Sequence, residues 1–259
     1  MNALNNELPL DAFAPVTAGS AQALAQSMDE SGVGVLQAIV PDSVLAKLRG
    51  IVAKLIDQNG ARYFGCSDAD WIANTGLGPL MKDAGLHALL RQLYVQKMGT
   101  LPPSEQIMPV MRVLTGTQGL RHSNNFHYDS YVVSILLPVL IPNGPDEPPG
   151  NLTMYPNLRD TRRSVIVNII EKALMETLLK GIWRLPWVQK RLAAKVVTLT
   201  PGNLYFFWGT RSLHANQASS PSSVRCTVLL HFGDPHANSV LKGISRRLHS
   251  MKLQRMARD

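Results

Sequence analysis

From Ile107 onward the chain reads as one strand after another. The runs IMPVMRVL, FHYDSYVVSILLPVLI, NLTMYP, KVVTLTPGNLYFFW and VRCTVLLHF are separated by Gly, Pro and Asn turns. Strands that follow each other without alternating helices cannot form a doubly wound parallel sheet, because each parallel connection needs a long crossover. The pattern over 107–240 therefore predicts an antiparallel barrel or jelly roll. Residues 1–106 read as a supporting region. It holds a loose lead-in over 1–19, a short helix after Ser20 closed by Gly32, and a strand GVLQAIV over 34–40. Pro41-Asp42-Ser43 then opens a helix to about Gln58, with Val44, Leu45, Leu48, Ile51, Val52 and Leu55 at helical spacing, and a further helix spans about Leu86 to Lys97.

One segment interrupts the strand series. Over about 161–195, Ile166, Ile169, Ile170, Ala173, Leu174, Leu178 and Leu179 repeat with a helical period, and Trp183 and Trp187 follow. Leu241, Ile244, Leu248 and Met251 likewise line one face of a C-terminal helix predicted over 241–259. These two segments carry the basic surplus. The chain's formal charge is +8, but residues 159–195 alone hold net +6 and residues 241–259 net +5, which leaves the remainder at −3. Such a distribution points to a local contact surface rather than a diffuse polyanion-binding face. A nucleic-acid groove would interleave cations with aromatics. Here the cations flank Leu, Ile, Met and Trp, so nucleic acid is not the expected partner. The apolar faces suit contact with an anionic membrane surface through 161–195 and 241–259 or with a partner protein, while packing of the 165–188 face on the barrel, or its use as a lid, stays open.

Composition excludes several other classes. The longest apolar run, Val132 to Ile141, is ten residues, well short of the roughly 18 that a spanning helix needs. The first twelve residues lack Lys and Arg and contain Glu7 and Asp11, unlike a secretory leader. Two cysteines, Cys66 and Cys226, make neither a disulfide framework nor a CxxC zinc pair, and fit a reducing cytoplasm. The expected location is cytoplasmic, with peripheral attachment to the inner face of the cell membrane if the basic faces are contacts. No Gly-x-Ser-x-Gly elbow supports a hydrolase.

The chemistry is concentrated in four places. His127 and Asp129 are two apart in a strand-like run, so imidazole and carboxylate share a face. His214, after the Pro201-Gly202 turn and the following strand, is the best candidate for a third ligand. Two histidines and a carboxylate make a facial triad with open positions, suited to Fe(II). Eleven residues beyond His214 comes Arg225, with Thr227 on the same face. A guanidinium beside a hydroxyl is a grip for a carboxylate, and inside an apolar barrel an unpaired arginine is expected to meet an anion.

The order His127-x-Asp129, Gly150-Asn151-Leu152, Pro201-Gly202-Asn203-Leu204, His214 and Arg225-x-Thr227 resembles the Fe(II)/2-oxoglutarate-dependent oxygenase superfamily over roughly 107–233. The stretch from Gly32 to Leu55 is similar to the start of its phytanoyl-CoA-hydroxylase-like and prolyl-hydroxylase-like members. The spacing of 85 positions from Asp129 to His214 is long, and the helical insertion accounts for most of the excess. The resemblance implies an α+β fold with a double-stranded β-helix (jelly-roll) core, N-terminal helices, the insertion and the C-terminal helix. It implies Fe(II) on His127, Asp129 and His214, and 2-oxoglutarate with its 5-carboxylate on Arg225 and Thr227. O2 is the further co-substrate and ascorbate an accompanying reductant. The implied reaction is hydroxylation of an unactivated C–H with release of succinate and CO2, a non-halogenating outcome because Asp129 supplies the carboxylate. The basic, Trp-containing insertion ranks an anionic amphiphile, such as a lipid-linked sugar acid or acyl conjugate, ahead of a free amino acid or natural-product intermediate. A jelly-roll binding protein without activity is the remaining alternative.

Overall fold

The computed structural model describes residues 13–237 other than 145–147, 163, 176–178 and 180; the helix expected over 241–259 lies outside the described residues. Nine strands form two antiparallel sheets among the described residues, which makes the chain an α+β protein. The strands are β1 (Gly34–Leu36), β2 (Phe64–Cys66), β3 (Met108–Leu114), β4 (Val133–Leu140), β5 (Leu152–Tyr155), β6 (Lys195–Val197), β7 (Leu204–Trp208), β8 (Leu213–Asn216) and β9 (Arg225–Phe232). The larger sheet runs β1-β7-β4-β9-β3-β2 and the smaller β6-β5-β8.

The near-continuous apolar strands follow from burial on both faces. Alternate residues go to opposite sides. On β9, Cys226, Val228, Leu230 and Phe232 join the main core, as do Val133, Ile135, Leu137 and Val139 of β4 and Leu204, Phe206 and Trp208 of β7. This outer face is covered by three helices, α1 (Ala21–Glu30), α2 (Asp42–Asn59) and the later α5 (Ala84–Met98), through Leu24, Met28, Leu48, Val52, Leu89, Leu93 and Tyr94. The short α3 (Ala69–Ile72) and α4 (Gly78–Met81) precede α5, which starts where Asp83 accepts a hydrogen bond from the Leu86 amide and stops at Gly99 in the left-handed region. The opposite residues, Leu136 of β4, Tyr205 and Phe207 of β7 and Leu229 of β9, pack with Leu152 and Met154 of the small sheet. The space between the sheets is therefore walled on both sides by inward-facing residues.

Several expected strands change in extent. The strand expected over 34–40 ends at Leu36; Ala38 has φ +52° and its amide donates to the Asn203 side chain. The run 126–141 becomes a strand only from Val133, and the run 195–208 divides into β6 and β7 at the Pro201-Gly202 turn. Strands β2 and β8, three and four residues long, have no independent signature in the sequence. Strand β2 is specified by the longer β3 it pairs with, and β8 by its pairing with the equally short β5.

The insertion contains α7 (Val165–Ala173) and α8 (Pro186–Arg191), after the short α6 (Gly116–Arg121) earlier in the chain. Trp183 and Val188 are buried against Tyr155, Leu213 and Ala215 on the outer face of the small sheet, and the Tyr155 hydroxyl donates to the Trp183 carbonyl at 2.6 Å. Helix α7 is turned the other way. Buried Arg159 donates to Glu171 at 2.9 Å, to Asn168 at 2.9 Å and to the Thr210 carbonyl at 2.8 Å, and Arg162 also grips Glu171. The polar face of α7 is thus held inward, while Ile166, Ile169 and Ile170 are exposed, Ile170 to 61%. The reading in which the apolar face of 165–188 packs on the barrel holds for Trp183 and Val188, with Met175 and Leu179 against them, and fails for Ile166, Ile169 and Ile170.

Candidate metal centre

On β8, Leu213 and Ala215 face the insertion, so His214 must face the space between the sheets, opposite Met154 of β5. His127 lies outside any regular strand. It forms an isolated antiparallel bridge with His214, each residue's amide donating to the other's carbonyl, at 3.0 and 3.1 Å. Residues opposite each other in such a pair project to the same side. The bridge, not a strand through 126–132, brings the two imidazoles together with ring centroids 4.5 Å apart. Two residues on, the Asp129 amide donates to the Gly209 carbonyl at 2.9 Å, which turns its carboxylate towards both rings.

The resulting cluster has one ligand atom from each of His127, Asp129 and His214, all within 4.8 Å of one another. His127 Nδ1 donates to the Asn125 carbonyl at 2.8 Å and His214 Nδ1 to the Ser212 carbonyl at 3.0 Å. A carbonyl only accepts, so both protons are on Nδ1 and both Nε2 atoms present lone pairs. These lie 3.7 and 3.6 Å from the Asp129 oxygens, too far for hydrogen bonds. Three electron-pair donors converging without bonding to one another suit a cation, and two imidazoles with one carboxylate suit Fe(II). Burial, with His214 beside it, pushes His127 down to about 3, so its ring is neutral near neutral pH. Burial alone would raise the Asp129 carboxyl, but His214, His231 and His127 and the Ser134 hydroxyl outweigh it and hold the group ionised, well below the usual carboxylate range.

Behind the carboxylate is a layer that sequence reasoning missed. Ser134 Oγ donates to Asp129 Oδ2 at 2.6 Å and takes a hydrogen bond from His231 Nδ1 at 3.0 Å; Tyr131 stacks on the His231 ring. Such partners orient a ligand and tune its basicity. The signal was present in the sequence, since His231 stands at an even spacing from Arg225 and so shares its face. Gly209 allows the close approach. A Cβ there would stand 2.4 Å from Ser134 Oγ and 2.9 Å from Asp129 Cβ.

Arg225 is on the same wall, at the other end of β9, 3% exposed. Its Nε donates to the Gly150 carbonyl at 2.6 Å, and its Nη1 lies 3.5 Å from Thr227 Oγ1. Gly150, at φ +62°, makes room, because a Cβ there would be 2.7 Å from Arg225 Cδ. Among the described residues no carboxylate pairs with Arg225, and burial lowers the guanidinium to about 10, which leaves it charged. A cavity of about 550 Å³ lies beyond Gly150, lined by residues including Arg49, Leu140, Pro149, Asn151 and Pro201 but by none of the triad. The converging donors locate the centre, not the concavity.

No protein-family model matches the sequence, and no curated protein matches it. Solved structures do share its fold. A prolyl hydroxylase from Trichoplax adhaerens, in complex with a hypoxia inducible factor oxygen degradation domain peptide, aligns with TM-score 0.54 over 86% of this chain and 93% of its own at 14% identity. The non-heme alpha ketoglutarate dependent carbocyclase SnoK from nogalamycin biosynthesis aligns with TM-score 0.53 over 85% and 87% at 13% identity. The epimerase SnoN, in complex with Fe3+, alpha ketoglutarate and nogalamycin RO, aligns with TM-score 0.51 over 83% and 84% at 13% identity. The resemblance drawn from the motifs thus holds at the level of the fold, and its His-x-Asp and distant His meet in space.

Proposed function

We propose that this chain is an Fe(II)- and 2-oxoglutarate-dependent oxygenase that hydroxylates an unactivated C–H bond of an anionic amphiphile, releasing succinate and CO2. The observation that carries the reading is the convergence of two Nε2 lone pairs and the Asp129 carboxylate between the sheets. Two facing antiparallel sheets support the finer description of the 107–240 core as a double-stranded β-helix, with 1–106 as its support. In this reading iron, once bound by His127, Asp129 and His214, supplies the oxidative chemistry with O2 and 2-oxoglutarate. The chain contributes position and shielding. Arg225 and Thr227 take the co-substrate's 5-carboxylate, Ser134 and His231 aim Asp129, and Leu136, Tyr205, Phe207 and Leu229 keep water from the space between.

The test is direct. Purified protein with Fe(II) and 2-oxoglutarate under anaerobic conditions should show a weak visible charge-transfer band. Admitting O2, with ascorbate to keep iron reduced, should give succinate, at a rate that rises with one member of a panel of lipids, sugar acids and amino acids. A metal-loaded protein with neither the band nor succinate is the binding protein of the alternative reading.

The amphiphile and a membrane contact share one supporting observation, the outward apolar face of α7. Trp187 is 67% exposed nearby, among exposed Arg184, Lys190, Arg191 and Lys195, with no acid from 181 to 195. Each such cation near an anionic surface contributes about 1 kcal/mol, and the exposed Ile and Trp side chains add insertion. Among the described residues no helix is long and apolar enough to cross a membrane, so the contact is peripheral. In flotation with phosphatidylglycerol vesicles most of the protein should rise with the lipid, and the triple variant Ile166→Ser, Ile170→Ser, Trp187→Ser should stay below. Wild-type protein that stays below removes the contact.

A further inference from the structure

A second arginine belongs to the same wall. Arg112 of β3 stands opposite Thr227 of β9 on one side and opposite Gly65 of β2 on the other. Directly opposed residues of antiparallel strands share a face. Arg112 therefore projects to the side that carries Arg225, Thr227 and Leu229. Gly65 places no side chain beside it; the Tyr63 hydroxyl lies 3.4 Å from where a Cβ on Gly65 would stand, so that side is polar and open. Arg112 is thus the cross-strand neighbour of Thr227, which itself contacts the buried Arg225. Among the described residues the Arg112 side chain makes no hydrogen bond and no ion pair.

Two unneutralised guanidiniums on one half-buried wall repel each other where the dielectric is low. Asp129 does not relieve this, because it accepts the Ser134 hydrogen bond and is turned towards the two Nε2 atoms. A divalent ion, one carboxylate and two guanidiniums leave three positive charges, of which a dianionic co-substrate neutralises two. Site electrostatics must include the ion's own charge, and the site as a whole remains short of one negative charge. Val110 of β3 and Leu229 of β9, on the same face as Arg112, offer an apolar surface beside it.

We propose that Arg112 anchors an anionic group of the substrate, a carboxylate or phosphate borne on an apolar body, one strand away from the arginine that holds the co-substrate. The proposal rests on the oxygenase reading above and gives its substrate a required charge. Arg112 is a binding residue whose planar fork suits an oxyanion. The charge balance makes a neutral analogue a poorer ligand than its anion.

The experiment uses the full chain loaded with Fe(II) under anaerobic conditions, with octanoate and its neutral counterpart octanamide as probes and dissociation constants read by calorimetry with and without 2-oxoglutarate. Wild-type protein should bind octanoate at least tenfold more tightly than octanamide. Arg112→Gln should lose that preference while its affinity for 2-oxoglutarate, read from the charge-transfer band, changes less than twofold. Arg112→Lys, which keeps the charge but not the fork, should retain part of the preference and controls for folding. Arg225→Gln should do the reverse, weakening 2-oxoglutarate and sparing the preference. Equal binding of the two probes by wild-type protein overturns the proposal. So does a tenfold loss of 2-oxoglutarate affinity in Arg112→Gln with the preference intact, which would assign Arg112 to the co-substrate. Failure of wild-type protein to bind 2-oxoglutarate sinks the oxygenase reading instead, and the probe comparison without 2-oxoglutarate still decides the role of Arg112.

Discussion

Replacing His214 by alanine should lower Fe(II) affinity by more than about 100-fold and reduce succinate formation to background. Loss of a residue that merely orients a ligand costs about 10–100-fold in metal affinity, and His214 supplies one of only three donors. The fold should survive the change. The His214 amide and carbonyl pair with His127 through the backbone, and that bridge needs no imidazole. The side-chain bond that disappears, Nδ1 to the Ser212 carbonyl, joins residues two apart and holds no element to another. Circular dichroism and Tm in the absence of metal should therefore match wild type, while a Co(II) or Fe(II) titration fails to saturate. His127→Ala should behave alike. A folded variant at either position that makes succinate at the wild-type rate would show that the metal is held elsewhere.

Arg225→Met should separate co-substrate binding from stability. Truncating one partner of a buried charge pair costs about 2–5 kcal/mol of binding, so the Kd for 2-oxoglutarate should rise about 30-fold or more. Metal affinity should be unchanged, because Arg225 touches Gly150 and Thr227 rather than the triad. The effect on the unliganded protein runs the other way. Among the described residues the buried guanidinium lacks a carboxylate partner, so an apolar side chain of similar length removes a desolvated charge and should leave Tm equal or higher. Ligand at 100 times its Kd stabilises a protein by about 2.7 kcal/mol. Saturating 2-oxoglutarate should accordingly raise the Tm of the Fe(II)-loaded wild type and leave the variant unmoved. A variant destabilised without ligand and stabilised normally by 2-oxoglutarate would make Arg225 a structural residue only.

Both predictions start from residues that stand out in the sequence, but local spacing is not what brings them together. Alternate residues of a strand share a face, which pairs His127 with Asp129 in the sequence. They do meet, through an isolated bridge to His214 and the Asp129 amide's bond to Gly209. In the sequence His214 stands at the end of the strand that follows Pro201-Gly202. It belongs to β8, whose four residues are too few to show a period and which forms because β5 pairs with it. The long β3, β4 and β9 are legible, since seven or eight mostly apolar residues between turn signals have few alternatives. The segment over 161–195 was legible as amphipathic, yet the side it turns inward was not. Arg159, buried beneath α7, binds Asn168 and Glu171 and so selects the polar face, a choice that periodicity leaves open.

By itself the sequence determined the α+β class of fold, which residues are the candidate metal donors and the presence of one internal arginine. These depend on residue type and local spacing, which are properties of the chain as a string. Only the tertiary structure decided which atoms of those residues face one another, that Ser134 and His231 support Asp129, and that Arg112 shares a wall with Arg225. Those relations come from cross-strand register between segments that can be more than a hundred positions apart, as Arg112 and Thr227 are. Register is set by the packing of both sheet faces at once, so no single stretch of sequence carries it.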